Sequence, residues 1–371
     1  MLEKKLTVDR VRLMGDVSMK NFLTSFGDEI PLVEGYYDLH RKRNAGNLLA
    51  TSTSRPGARE RLSYKAFVKD VYLYWTFVDI FARQGIDISA LRSLDVGGGE
   101  GTMARLLSKE GRSKFTKVVE LYMMDELYSD SEFSQHYRRH RIDSFVEKCS
   151  LSKIKKTALG GPQLTHGRYP EKSSTYFSLR NRGPGTISSF SVENFFDIKE
   201  KYDLLTAFSC IDYFDPQLFF QKASDLLDVG GYFFGYLAYW WYPVNCSVVC
   251  GHFPYAAQRL NKEDFIRYAK EFHSEDFEDI MERYNYFHLG RIHPTLGEYI
   301  RMASDAGLQH VASDRIFGGP GMKLTPVQPN QIDLMSGHSL AACVDQINKF
   351  APAVTIEDLK TYVILLAFKK V

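Results

Sequence analysis

Apolar residues fall into two rhythms along the chain, and the change between them divides it. Arg10 to Phe22 carries apolar residues at helical spacing, which predicts a helix. A stronger helical segment opens at Ser63-Tyr64-Lys65-Ala66-Phe67 and runs to about Gln84, with Ser63 suited to the N-cap and Gly85 to the C-terminal cap. Between them, residues 44–61 are polar and broken by Gly46, Pro56 and Gly57, which predicts a loop. From Leu91 onward, apolar runs of strand length take over: Leu91–Val96, Lys117–Leu121, Thr186–Val192, Tyr202–Phe208, Tyr232–Trp240, Gln309–Arg315 and Thr361–Phe368. Helical stretches at Thr102–Lys109, Leu218–Leu227 and Thr295–Ala306 separate several of them, the last two closed by Gly230-Gly231 and by Gly307. Strands alternating with helices predict βαβ units, and hence an α/β fold with a mostly parallel sheet.

The expected organisation is a helical N-terminal region over residues 1–85 followed by an α/β domain over 86–371. Such a helical flank covers one face of the core, lids a site or packs on a second copy in a homodimer. Two insertions, 129–185 and 317–355, interrupt the α/β domain. Loops of that length are more often functional than idle, with disorder as the alternative. Arg138, Arg139, His140 and Arg141 in the first insertion read as a solvated face.

Composition narrows the class. In 371 residues, 47 Lys and Arg meet 45 Asp and Glu, for a formal charge of +2. That balance makes no general polyanion-binding field and argues against nucleic acid or a polybasic membrane anchor as partner. The five cysteines are single apart from Cys246 and Cys250, where no second pair completes a zinc site, so their use is cytosol-like and no metal is expected. Met1-Leu2-Glu3-Lys4-Lys5 lacks the apolar core of a signal peptide, and glycines interrupt the longest apolar run short of a membrane span. A soluble, cytoplasmic protein is the expectation.

The first candidate chemistry is Asp95-Val96-Gly97-Gly98-Gly99-Glu100-Gly101, between a predicted strand and a predicted helix. Glycines at 97, 99 and 101 let the backbone turn sharply and let a ligand lie against it. Dinucleotide binding needs G-x-G-x-x-G, and the third glycine position, counted from Gly97, falls on Thr102. No Lys-Ser/Thr pair makes it a phosphate-binding P-loop. The next strand ends at Glu120, where a carboxylate can accept hydrogen bonds from two ribose hydroxyls; a solvated strand-end acid is the plain alternative.

These residues resemble the first motif, D/E-x-G-x-G-x-G, of class I S-adenosylmethionine-dependent methyltransferases. The resemblance implies a Rossmann-like, seven-stranded, mostly parallel sheet, S-adenosylmethionine as cofactor and S-adenosylhomocysteine as product. It implies that Asp95 helps hold the methionine end through the turn, that Gly97, Gly99 and Gly101 make room for it, and that Glu120, followed by Leu121, takes the ribose. Phe190-Ser191-Val192-Glu193-Asn194-Phe195-Phe196 is similar to the family's third-strand end, implying that Asn194 bonds the adenine amino group and Phe195 covers the ring. Lys201 to Leu205 and Leu226 to Gly231 are similar to the entries of its fourth and fifth strands, and Ser209 follows the fourth.

The acceptor is read from what is missing. Methyl transfer is an in-line displacement, so alignment dominates. No Asn/Asp-Pro-Pro-aromatic run of the amine-directed nucleic-acid enzymes follows the fourth strand, which carries Phe208-Ser209-Cys210-Ile211-Asp212 instead. Ile211-Asp212-Tyr213-Phe214-Asp215-Pro216-Gln217 resembles the plant-type O-methyltransferase stretch, but Gln217 stands where those enzymes carry the basic His. His252, His288 or His293 could replace it from elsewhere, although a lone His is more often a hydrogen-bonded or surface residue. Asp212 and Asp215 have no third ligand and imply no metal.

A thioether needs no base, and its sulfonium product favours aromatic faces. Tyr236-Leu237-Ala238-Tyr239-Trp240-Trp241-Tyr242 supplies them at the end of the fifth strand, with core packing as the alternative. His252, Gln258 and Arg259 follow, and Arg259 could fork onto a substrate carboxylate, with Arg291, Arg180 and Arg182 as weaker candidates.

Across its length the chain also resembles the methylthiohydroxybutyrate S-methyltransferases of dimethylsulfoniopropionate (DMSP) synthesis, through Val11 to Phe22, Trp240 to Asn245 and Phe253 to Leu260. That resemblance implies a small-molecule substrate, 4-methylthio-2-hydroxybutyrate, methylated on sulfur, with Tyr239, Trp240, Trp241, Tyr242, His252, Gln258, Arg259 and Arg291 around it. O- or C-methylation of another small metabolite is the alternative, with His252 as base for oxygen. Nicotinamide-dependent oxidoreduction and a silent donor-fold scaffold are further readings.

Overall fold

The structure, a computed structural model, describes residues 20–33, 36–37, 91–98, 102–109, 115–120, 189–192, 194–208, 210–242, 251–285, 293–317 and 338–371, with scattered positions between 73 and 87 and Ile332. The chain packs into two compact units. The first gathers Ala238–Leu296 and Arg315–Val363 with the described residues up to Tyr37; the second holds those from 73 to Leu237 with Gly297–Asp314 and Ile364–Val371. The described residues up to Tyr37 fall in the first unit and those between 73 and 87 in the second.

A seven-stranded sheet organises the second unit. Its strands are β3 (Arg92–Val96), β4 (Phe115–Glu120), β5 (Ser189–Val192), β6 (Tyr202–Phe208), β7 (Leu227–Ala238), β8 (Leu308–Phe317) and β9 (Thr361–Lys370). Their order is β5-β4-β3-β6-β7-β9-β8. The pairs β3–β4, β3–β6, β4–β5 and β6–β7 are all parallel. Parallel strands are buried on both faces, and 202–208 accordingly reads as a mostly apolar run.

Successive residues of β7 show how both faces are covered. Phe233 packs against Phe220 at 5.7 Å and Phe368 at 6.0 Å between ring centroids. Phe234 meets Phe77 at 4.7 Å. Neighbouring strand residues point to opposite faces, so the two clusters lie on the two sides of the sheet.

Helix α1 spans Thr102–Lys109, as the spacing predicted, and buries Met103, Ala104 and Leu107. Helix α2 (Pro216–Leu226) buries Phe219, Phe220, Ala223 and Leu226, one stripe at helical spacing. It starts two residues before the predicted Leu218 because Asp215 caps it: the carboxylate accepts from Gln217 N–H at 2.9 Å and Leu218 N–H at 3.1 Å, with Pro216 in the first turn.

The Gly230-Gly231 pair does not precede β7 but lies inside it. The register jumps from Tyr202↔Leu227 to Leu204↔Tyr232, so the glycines fill a bulge. The helix predicted up to Gln84 is borne out where described, at 73–74, 77–78 and 80–83. It ends with Gly85 N–H donating to Ala82 O at 3.1 Å and Ile86 N–H to Phe81 O at 2.9 Å, the paired bonds of a glycine C-terminal cap.

In the first unit, β1 (Asn21–Leu23) and β2 (Glu29–Pro31) form an antiparallel hairpin. The helix expected over Arg10–Phe22 is corrected there. Asn21 to Leu23 is extended because alternate residues face in and out and Phe22 packs edge-on to Tyr268 at 5.3 Å; residues 10–19 lie outside the described ones. The same unit holds helices α3 (Ala256–Arg259), α4 (Lys262–Phe272) and α5 (Phe277–Tyr284). Helix α6 (Leu296–Asp305), predicted as Thr295–Ala306, precedes β8 and belongs almost entirely to the second unit. Helices α7 (Leu340–Ile347) and α8 (Ile356–Lys360) follow, α7 inside the expected 317–355 insertion. Insertion 129–185 lies outside the described residues. No described helix is long and apolar enough to cross a membrane.

Candidate functional site

Strands β3, β4 and β5 follow one another outward to one edge of the sheet, and β6 and β7 continue on the opposite side of β3. The order therefore reverses between β3 and β6. In open α/β sheets, ligands bind outside the carboxyl ends of the strands at such a reversal, because the loops there part to opposite faces. Val96, Glu120, Val192 and Phe208 end the parallel strands on that one edge.

The glycine cluster begins at this point. Gly97 leaves β3 with φ +63°, a left-handed conformation that costs any side-chain-bearing residue, and its N–H donates to Val119 O on β4 at 2.7 Å. The turn is thereby anchored one residue before Glu120, the last residue of β4. Gly99, Gly101 and Leu121 lie outside the described residues, as does Ser209.

Asp95 is fully buried, one residue inside the strand end. Its Oδ1 accepts from Thr206 Oγ1 at 2.7 Å, and Asp95 and Thr206 face each other in the β3–β6 register. The acid thus acts from beneath the turn, clamped to the neighbouring strand. Beside it the Cys210 thiol donates to Val96 O at 3.2 Å, closing β6 onto the end of β3. Neither Thr206 nor Cys210 was singled out in the sequence; both meet β3 through pairings more than a hundred residues apart, which leave no local pattern.

At the end of β5, Asn194 accepts from Phe196 N–H at 3.0 Å and caps a short 3-10 turn over Phe195–Asp197. Phe195 turns inward, with no exposure, and stacks on Phe219 at 5.1 Å between centroids. The exposed ring of the pair is Phe196, at 39% exposure. Beyond β6, Asp212 lies in a 3-10 turn over Ile211–Tyr213. Burial first, then the charges of Asp212 and Glu298, raise the Tyr299 phenol far above its usual range and keep it neutral. Gln217, in the first turn of α2, occupies the position where a base was sought. Among the described residues no three His, Cys, Asp or Glu gather within reach of one metal ion.

The acceptor-side candidates all belong to the first unit. Tyr239 is buried; its hydroxyl donates to Asp358 Oδ1 at 2.6 Å and accepts from Leu296 N–H at 3.0 Å. Arg315 joins the same carboxylate oxygen at 2.6 Å. Burial and the Asp358 charge hold the phenol far above its ordinary value, so it stays protonated. Tyr242 is wholly buried, edge-on to Tyr362 at 5.4 Å.

Trp240 stacks flat on His293, with 4.0 Å between centroids and 9° between planes, and Gln258 Nε2 donates to its carbonyl at 3.1 Å. Trp241 is buried nearby in sequence. His252 Nδ1 lies 2.8 Å from the Tyr268 hydroxyl and its ring stacks on His273 at 4.8 Å. Arg259 is fully buried among neutral partners. Arg291, Arg180, Arg182 and His288 lie outside the described residues.

No protein-family model matches the chain, and no curated protein does. Among solved structures, the chain is similar to an S-adenosylmethionine-dependent methyltransferase from Mesorhizobium loti, at 11% identity over 76% of this chain and 93% of that one, with a TM-score of 0.36. It is also similar to a geranyl diphosphate C-methyltransferase from Streptomyces coelicolor A3(2), at 11% identity over 98% of each chain and a TM-score of 0.38. A magnesium protoporphyrin IX methyltransferase from Synechocystis PCC 6803 gives 9% identity over 91% of this chain and 100% of that one, at 0.37. Likenesses at this level fix neither the activity nor the substrate of this chain.

Proposed function

We propose that the protein is an S-adenosylmethionine-dependent methyltransferase with a small-molecule acceptor, and that the donor is held at the carboxyl edge of β3 and β4. The observation that carries this reading is the place of the Gly97 turn. It leaves its strand in a left-handed conformation at the reversal of strand order, fastened to the residue before Glu120.

The residues at the edge fit a nucleoside sulfonium. A turn without side chains lets the backbone approach the ligand, and the carboxylate of Glu120 is the residue type that accepts from a ribose diol. Asn194 and the exposed Phe196 ring suit a purine, and Gly99, Gly101, Leu121 and Ser209 complete the set on the sequence alone. Bound there, S-adenosylmethionine supplies an activated methyl group for displacement from sulfur. The chain's own task is then to align an acceptor and exclude water, and Asp95 keeps the turn in place through Thr206.

The acceptor we propose is a small thioether carboxylate methylated on sulfur, of which 4-methylthio-2-hydroxybutyrate is the one the sequence resemblance names. Two features support it. The position of the base in O-methyltransferases is held by Gln217, beside an Asp215 already spent capping α2. A neutral thioether sulfur needs no base, and Trp240 and Trp241 supply aromatic faces. Oxygen or carbon methylation of another small metabolite is the second reading, favoured if His252 acts as a base. A homodimer through the N-terminal residues and a cytoplasmic location belong to the same proposal and rest on the sequence.

Calorimetry with S-adenosylmethionine tests the first step. Micromolar binding that falls at least tenfold in Glu120→Ala is expected, and no heat at millimolar donor would overturn the reading. Labelled-donor assays against thioethers, phenols and carboxylic acids then identify the acceptor; transfer to phenols alone would end the thioether version.

A further inference from the structure

Arg259 closes the short helix α3 and is 1% exposed. Its guanidinium has five N–H donors, and three are taken by neutral acceptors. Nε donates to Gln346 Oε1 at 2.7 Å, and Nη1 donates to Pro254 O at 3.1 Å and to His338 Nδ1 at 3.0 Å. The Phe253 ring lies beneath the cation at 5.0 Å. Nη2 is buried and has no hydrogen-bond partner among the described residues.

No described carboxylate pairs with this cation. The Cys343 thiol, then the Tyr36 phenol and the Asp28 carboxylate, oppose the effect of burial on it, and Asp28 is itself paired with Lys349 at 2.6 Å. His338 cannot carry a negative charge, and it is kept neutral: burial first, then the Arg259 charge, lower it to about 3. Cys343 is buried, and its thiol points to His338 O at 4.0 Å. Burial also lowers the guanidinium from its usual value. Burying an uncompensated charge is costly, so the site is incomplete as built from the described protein groups.

We propose that Arg259 holds a small monoanion at Nη2, as an integral part of the first unit. The geometry also limits the kind of anion. With Nε and both Nη1 protons taken, neither two-nitrogen fork of the guanidinium is open, so the bidentate carboxylate clamp expected from the sequence is not available. The two Nη2 protons diverge and suit end-on contact with a halide or with one oxygen of a short carboxylate. None of these residues belongs to the strand edge, so the site stands or falls independently of the methyl-donor reading.

The test uses the full chain in two measurements. Crystals soaked in bromide are expected to show an anomalous peak in contact with Nη2. Thermal unfolding at constant ionic strength is expected to give a saturable upward shift of a few degrees in Tm in chloride, bromide or formate relative to gluconate, whose anion is too large to be buried there. The shift should vanish in Arg259→Gln; if that variant does not fold, the bromide map and the salt series on the native chain decide. A response to halides marks a structural ion, and a response to formate alone marks a carboxylate group as occupant. No bromide at Nη2 together with equal Tm in all four salts would overturn the proposal. So would a Cys343 thiolate absorbance at neutral pH that disappears in Cys343→Ser, because the counter-charge would then be internal.

Discussion

Thr206 Oγ1 donates to Asp95 Oδ1 at 2.7 Å, across the two strands between which the order of the sheet reverses. Both residues are fully buried. A buried carboxyl group deprived of a short donor loses more than an average hydrogen bond, because the polar atom left behind has no water to replace it. Thr206→Val keeps the shape and removes the donor. It is expected to lower the unfolding free energy by about 1–3 kcal/mol in urea titration. Asp95→Asn should be milder, since an amide oxygen still accepts from Thr206. Equal stability of Thr206→Val and the native chain would show that Asp95 draws its support elsewhere.

Gly97 and Gly230 separate backbone strain from ligand recognition. Both have positive φ, +63° and +86°, but Gly97 sits at the strand edge and Gly230 in the β7 bulge with open space around it. Alanine at either should cost about 1–2 kcal/mol of stability for the left-handed conformation. Only Gly97→Ala is expected to weaken S-adenosylmethionine binding as well, by tenfold or more in calorimetry. Unchanged donor affinity in Gly97→Ala would remove the turn from the proposed site.

The elements read correctly from the sequence are those whose cause is local. Tyr202–Phe208 is a mostly apolar run of strand length, and α1 has its stripe at Met103, Ala104 and Leu107; both appear with the predicted bounds. The readings that failed depend on distant partners. Phe22 looked helical by spacing, yet its ring meets Tyr268 from an extended strand. Phe195 and Phe196 are indistinguishable in sequence, and only the presence of Phe219 decides that Phe195 is the buried one. Arg259 read as a carboxylate fork, but Gln346 and His338, from a segment with no predicted elements, and Pro254 O occupy three of its donors. The edge of the sheet was legible because glycine and strand-end acid are short-range signals. The acceptor side was not, because its geometry is fixed by contacts between segments far apart in the chain.

Tyr239 and Trp240 are adjacent, yet different roles are expected of them. The Tyr239 hydroxyl joins Asp358 and Leu296 N–H in a buried network, so Tyr239→Phe leaves two polar groups short of a partner and should cost about 1–3 kcal/mol. Its kcat with the native acceptor should stay within about twofold of the native chain. Trp240→Ala removes the ring stacked on His293 and, under the thioether reading, should lower turnover while S-adenosylmethionine still binds. Turnover lost in Tyr239→Phe but kept in Trp240→Ala would reverse the assignment.

Two buried histidines predict how stability responds to acid. Burial first, then the neighbouring His252 charge, lower His273 to about 4, with Asp276 opposing; His338 is lowered to about 3. An unfolded histidine titrates near 6.5, so between that pH and the folded values the unfolded chain binds more protons than the folded one. The stability linked to these groups is therefore complete above about pH 6.5 and is lost progressively as pH falls toward 4 and 3. Chemical denaturation at pH 7.5, 6, 5 and 4.5 should show a steady decline, and His273→Gln should flatten part of it. His273 Nε2 is within 3.3 Å of the Tyr268 hydroxyl, so glutamine preserves a polar contact and isolates the proton. A native chain as stable at pH 4.5 as at 7.5, or a His273→Gln profile as steep as the native one, would refute the linkage.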